Sequence, residues 1–188
     1  MRKLRDLVDI RSGYTFRSSI GSFAEGDTEV IQAGDLEFHF NFAKRTSITF
    51  PGEDKHLLRK GDILVSARGF AKAVLIQDEN LKAVASSALF VLTPKNSTVS
   101  PEFITMFFNS EQGMKAVFEL GSGGSVRSIT KESLGQINIP EIPPDKERLL
   151  GGAVQAIDDE LAAIELKEVY LNNIREAIIT KTLKEATK

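Results

Sequence analysis

The sequence predicts an α+β protein: a mixed α/β domain over residues 1–143, then one long C-terminal coiled-coil helix over residues 144–188. Three observations predict it. First, the stretch from Asp145 to Thr187 has no proline, and Leu150, Ile157, Ile164, Leu171 and Ile178 recur at intervals of seven. Val154 and Leu161 form a second seam beside them, which turns polar at Glu168 and Arg175 while Ile174 takes the apolar role one step earlier. Apolar positions repeating every 3.5 residues over several heptads are the pattern of helices that pair along a seam. At 1.5 Å per residue such a helix is roughly 60 Å long, more than a small domain needs to cover its own core. Second, the preceding residues break into short apolar runs punctuated by glycine and proline, as strands and turns do. Third, near Ser100 the apolar spacing changes from strand-like to helix-like.

In chain order, Leu4 to Ile10 opens the domain with Leu4, Leu7, Val8 and Ile10 apolar, and Arg11-Ser12-Gly13 ends that element. A polar loop follows from Tyr14 to Ser19. Glu29 to Gln32 reads as a short strand, and Phe38 to Phe42 alternates with the period of two of a half-buried strand. Pro51-Gly52 and Lys60-Gly61-Asp62 are turns. Ile63 to Val65 and Ala73 to Ile76 are apolar strands joined by a tight corner at Ser66-Ala67-Arg68-Gly69, and Ala88 to Leu92 is a buried strand halted by Pro94. Ser100-Pro101-Glu102 is a helix start: a capping hydroxyl, a proline whose missing N–H is no loss in the first turn, and an early carboxylate. Phe103, Ile104, Phe107 and Phe108 form its apolar stripe. A second helix spans Glu111 to Leu120 and ends in Gly121-Ser122-Gly123-Gly124-Ser125. Thr130 caps a short turn, Ile137 and Ile139 mark a last strand, and Pro140, Pro143 and Pro144 separate the domain from the long helix.

Composition narrows the function classes. An apolar fraction of 41% is enough for a real core, and no run approaches the about eighteen apolar residues of a membrane span. The charged start Met1-Arg2-Lys3-Leu4-Arg5-Asp6 is followed by no apolar signal-peptide core, and the absence of cysteine suits a reducing cytoplasm. Residues 1–144 hold seventeen basic and seventeen acidic side chains, and the remainder seven and nine. A domain that held nucleic acid by charge alone would be basic. Contact with DNA therefore requires positive charge focused on one face, or a partner that supplies phosphate affinity.

Catalytic patterns are missing. His39 and His56 have no carboxylate or cysteine companion, so no metal trio forms and both read as structural or solvated. Glu53-Asp54-Lys55 resembles the acid–acid–lysine set of nucleases only in composition; after the Pro51-Gly52 turn it reads as a charged loop. The Gly121–Gly124 run has no following Lys-Ser/Thr pair and no preceding strand, which argues against a phosphate loop. Neither a glycine-rich S-adenosylmethionine loop nor the Asn/Asp-Pro-Pro-aromatic motif of amino-methyltransferases is present. The chain is expected to be a non-catalytic unit with no cofactor and no metal.

The order of these pieces resembles one half of a type I restriction–modification specificity subunit, a half-size form with a single target-recognition domain. The residues that carry the resemblance are Leu4 to Ile10 with Ser12-Gly13-Tyr14-Thr15-Phe16, Gly61 to Ser66 with Arg68-Gly69, and Ser86 to Leu92 leading to Pro101-Glu102-Phe103-Ile104. Gly121 to Ile129, Ile137-Asn138-Ile139-Pro140 and Ile142-Pro143-Pro144 leading to Glu147 complete it. Two departures stand out: Glu147-Arg148 replaces the family's common Glu-Gln pair, and one domain with one helix stands where the usual subunit has two of each.

The resemblance implies a partner set: double-stranded DNA, a second copy of the chain, DNA methyltransferase (modification) subunits and a restriction subunit. Methylation and cleavage then belong to those subunits. Two copies on a two-fold axis would read a symmetric, bipartite target. Leu150, Val154, Ile157, Leu161, Ile164, Leu171, Ile174 and Ile178 would form the dimer seam. Reading bases needs forked donors on exposed loops, with hydroxyls and lysines on phosphates. Tyr14, Thr15, Arg17 and Ser19 on the first loop, Lys44 and Arg45 after the Phe run, Arg68 and Lys72 at the corner, and Ser125 and Arg127 after the glycine run are the expected DNA contacts. The competing reading is a dimeric coiled-coil adaptor of the same build without DNA sequence selectivity.

Overall fold

The structure, a computed structural model, describes residues 1–36, 45–67, 73–120 and 129–186. The expected strand at Phe38–Phe42, the Arg68-Gly69 part of the corner, and the Gly121–Ser125 run lie outside the described residues. The chain opens with β1 (Arg2–Lys3), one turn of helix α1 (Leu4–Leu7) and β2 (Val8–Ser12), so the opening element predicted at Leu4–Ile10 is two short pieces preceded by a strand. β3 (Thr28–Ile31), β4 (Thr46–Ile48), β5 (Ile63–Ser66), β6 (Val74–Leu75), β7 (Ala83–Ala85) and β8 (Leu89–Pro94) follow. Helices α2 (Pro101–Asn109), α3 (Glu111–Leu120) and α4 (Lys131–Gly135), strand β9 (Asn138–Ile139) and helix α5 (Pro144–Ala186) complete the described chain.

Among the described residues the strands form a four-stranded sheet in the order β2-β8-β5-β6, a three-stranded sheet β4-β3-β7, and the pair β1-β9. Alternation along β8 explains how they stack. Phe90 and Leu92 point into one core with Leu4, Ile63, Phe103, Ile104, Leu134 and Ile139, under the helices. Leu89 and Val91 point the other way, into a core shared with Ile31, Leu64, Ile76 and Ala85. The central sheet is therefore buried on both faces, which is why β8 reads as an unbroken apolar run. The three-stranded sheet lies beyond that second core. Its outer face carries Val30, Ile48 and Val84, covered by Tyr14, Phe16, Ile20, Phe23 and Phe50.

The predicted helix starts are seen directly. The Ser100 hydroxyl accepts from Phe103 N at 3.1 Å with Pro101 in the first turn, and Thr130 and Ser133 cap α4 reciprocally. Pro94 closes β8 opposite Val8, at a strand end where a missing N–H is tolerated. The turn at Lys60-Gly61-Asp62 has Gly61 at φ 90°. Asp62 is 2% exposed there and accepts from Arg59 N, Thr93 Oγ1 and Arg11. Burial lowers the pKa of the Arg11 guanidinium, and Asp62 opposes that shift.

Helix α5 packs its first turns on α2 and then leaves the domain. Gly151 is buried against α2: a Cβ there would lie 2.5 Å from Phe103 N and 2.8 Å from the Glu102 carbonyl carbon. Beyond Gln77 Nε2, which donates to Asp159 Oδ1 at 2.9 Å, almost every described side chain of the helix is exposed.

Candidate nucleic-acid interface and helical seam

The first expected contact loop is held from within. Gly13 N donates to Leu89 O at 2.9 Å, and a Cβ on Gly13 would sit 2.1 Å from Ser86 O, so no side chain fits at this crossing. Tyr14 N donates to Ala85 O at 2.7 Å. The Tyr14 ring meets Phe16, Phe50 and His56 edge-on, with centroids 4.9, 4.9 and 5.1 Å away, and Phe16 meets Phe23 at 5.5 Å. Such edge-to-face pairs add to the burial that holds the loop in place. The alternation then decides roles: Tyr14 and Phe16 turn toward the three-stranded sheet, while Thr15, Arg17 and Ser19 are exposed. Tyr14 is thus a half-buried loop support with a polar tip, and Arg17 is the loop's exposed forked donor.

Arg45 has a different environment. Its side chain is 1% exposed and Nη1 lies 2.9 Å from Glu29 Oε2. Burial lowers its pKa, while the charges of Glu29 and Asp35 oppose that shift. In this arrangement the guanidinium faces its own domain. Lys44, Arg68, Lys72, Ser125 and Arg127 lie outside the described residues, as does His39.

The described residues that flank these segments do come together, around the bend from Ser86 to Leu89. Gly13 N bonds to Leu89 O, and Tyr14 pairs with Ser86. Ala67, next to Arg68, donates to Ala88 O at 2.8 Å, and Ile129, which follows the Gly/Ser run, donates to Ala67 O at 3.2 Å. Ser86 N donates to Ile31 O at 2.8 Å, and Ile31 follows Val30, the partner of Thr46 at the start of β4. The roots of three of the four expected contact segments therefore gather at this bend, and the fourth starts on β4, one strand beyond β3. Sequence spacing carries no signal for this, because it depends on which strands pair. The aromatic support from Phe23, Phe50 and His56 was equally invisible; only the packing singles them out from other apolar residues.

His56 lies in a single 3-10 turn at Asp54–His56 against Tyr14, and Lys55 pairs with Glu53 at 3.0 Å within the same charged loop. Lys55 holds the Glu53 carboxyl below its usual range, mainly through their hydrogen bond. Among the described residues no group of three histidine or acidic side chains could hold a metal ion, and no helix is long and apolar enough to cross a membrane.

The seam residues of α5 are open. Leu150, Ile157, Leu161, Ile164, Leu171, Ile174 and Ile178 are 45–61% exposed, and Val154 is half-buried. These residues make an exposed apolar row along a projecting helix.

Residues 1–181 match the family model described as type I restriction modification DNA specificity domain. Among solved structures the chain is similar to the type I restriction–modification S subunit of M. genitalium, with TM-score 0.59 and 17% identity, covering 85% of this chain and 39% of that one. It is similar to the HsdS subunit of Thermoanaerobacter tengcongensis, with TM-score 0.57 and 19% identity over 86% of this chain and 38% of that one. A structure of a type I R-M system described for its complex assembly and conformational transition gives TM-score 0.59 and 19% identity, with 86% and 38% covered. The chain thus spans about two fifths of the length of these structures. No curated protein matches it.

Proposed function

The chain belongs to the type I restriction modification DNA specificity domain family, and we propose that it is a half-size DNA-recognition unit acting as a homodimer. Each copy reads one half of a symmetric, bipartite target, and the pair docks methyltransferase subunits that supply the chemistry, with a restriction subunit as a further partner. The observation that carries this reading is the uncovered apolar seam of α5, attached to a domain of this family. A two-fold interface presents the same row twice, so one seam serves both copies. Covering seven exposed side chains per copy, at about 1 kcal/mol each for half-burial, is of the same order as the cost of association. A helix of roughly 65 Å holds half-sites one DNA turn or more apart. The gathering of loop roots near Ser86 supports one reading face per copy.

The test is selection from a random duplex library, with and without a DNA adenine methyltransferase subunit. Enrichment of a two-part symmetric sequence is the expected result. The even charge of residues 1–144 favours the adaptor reading instead; no enrichment with the partner present, together with a stable dimer, would establish it.

A further inference from the structure

The base of α5 is gripped at three places by three separate elements. Nearest the start, the Arg2 guanidinium donates to the Glu147 carboxylate, which is 2% exposed. Arg2 sits on β1, itself fixed by pairing with β9 (Arg2 opposite Ile139, Lys3 opposite Asn138) and by Lys3 Nζ donating to Gln136 O at 3.0 Å. One turn on, Gly151 presses on the α2 backbone at Glu102 and Phe103. Farther out, Gln77 reaches Asp159. From Asp159 to Ala186 the helix overhangs for about 40 Å.

We infer that Arg2 is a positioning residue that sets the angle of α5 and, through it, the spacing between the half-sites the dimer accepts. The functional part of this inference rests on the reading proposed above. Its geometry is that of a lever. One base pair of spacer is about 3.4 Å along DNA. At the end of a helix of roughly 65 Å, that displacement corresponds to a tilt of about 3° at the base. The packing of the first turns of α5 on α2, closest at Gly151, fixes the distance of the helix from the domain and limits its tilt in one plane. The Arg2–Glu147 bond, a charge-assisted contact from Nη2 to Oε1, ties the start of the helix to β1, away from α2, and so resists rotation about that packing. The Gln77–Asp159 bond is exposed, where water competes for both partners. The Arg2–Glu147 pair, with its carboxylate buried and its guanidinium partly so, is the stiffer constraint.

The absence of native cysteine permits site-directed spin labelling at Ser97→Cys on the domain and Asn173→Cys on the helix, both exposed. Labelled chain diluted tenfold with unlabelled chain reports only distances within one copy. Glu147→Gln, which keeps shape and removes the charge, is expected to broaden that distance distribution, and Arg2→Lys to broaden it less. In the duplex selection, the parent chain is expected to accept one spacer length, and Glu147→Gln to accept neighbouring lengths with discrimination reduced about tenfold. A purely structural role would lower the melting temperature and leave spacer preference unchanged. Where Glu147→Gln does not fold, Arg2→Lys carries both measurements. Unchanged distances in a folded variant, or broadened distances with spacer choice intact, overturn the inference. If the parent selects no two-part sequence at all, the proposed function fails, and the label distances still judge the grip on the helix.

Discussion

The adjacent glycines of α5 make opposite demands, and a pair of substitutions isolates how the helix meets the domain. In an exposed helix interior, glycine costs about 1 kcal/mol relative to alanine because it has more backbone freedom to lose. At Gly152 an added Cβ would have no heavy atom within 4 Å, so Gly152→Ala recovers that amount in full. At Gly151 an added Cβ meets Phe103 N at 2.5 Å and the Glu102 carbonyl carbon at 2.8 Å. Both are backbone atoms and cannot swing aside, so α5 must lift from α2, at about 1–3 kcal/mol for overpacking. The propensity gain offsets part of this, and Gly151→Ala is expected to be destabilising by roughly 1 kcal/mol net. The two variants then differ by about 2 kcal/mol, or about 4–8 °C in melting temperature for a chain of this size. Thermal unfolding followed by circular dichroism measures this, with all samples at one protein concentration because association shifts the midpoint. If Gly151→Ala raises the melting temperature as much as Gly152→Ala does, the helix does not contact α2 at Gly151 as described.

Three further outcomes follow from the same structure. Leu171→Asp with Ile178→Asp places two charges in the exposed seam, at positions 57% and 61% exposed; folding is expected to be retained while the dimer weakens about a hundredfold or more, roughly 2.7 kcal/mol, and light scattering that shows the parent size places the seam elsewhere. Arg17→Ala removes the exposed forked donor of the first loop; loss of one base contact is expected to weaken binding to the selected duplex by about 1–3 kcal/mol and relax preference at one position, whereas a uniform loss across sequences assigns Arg17 to phosphate. Ser100→Ala deletes a cap that accepts from Phe103 N and donates to Glu102 at 2.9 Å; a loss of about 1 kcal/mol in urea unfolding is expected, and no loss refutes the cap.

Much of this architecture was legible in local patterns. The heptad spacing and Pro143-Pro144 announced α5, which runs Pro144–Ala186. Ser100-Pro101 and Thr130 announced their helices, and the apolar runs at Ile63 and Leu89 announced β5 and β8. Each of these rests on interactions within a few residues: a cap reaches three residues along, a heptad repeats along one face. The strands that escaped notice, β1, β4 and β7, are two or three residues long, too short to show a period. They exist because a neighbouring strand supplies the hydrogen bonds.

The same division holds at the candidate site. Thr15, Arg17 and Ser19 stand exposed on the loop where their residue types suggested, but Arg45 turns to Glu29, a partner sixteen positions away along the chain that no local pattern reveals. By itself, the order of residues determined the family, the split between domain and helix as an expectation, and which helix face is apolar. Only the tertiary structure decided that Tyr14 is buttressed by Phe50 and His56, that three loop roots meet near Ser86, and that Arg2 holds Glu147. The physical reason is range. Propensity, capping and periodicity act over one or two turns of chain, whereas a reading face and the angle of a lever are made by residues far apart in sequence, brought together when the two sheets bury their shared core.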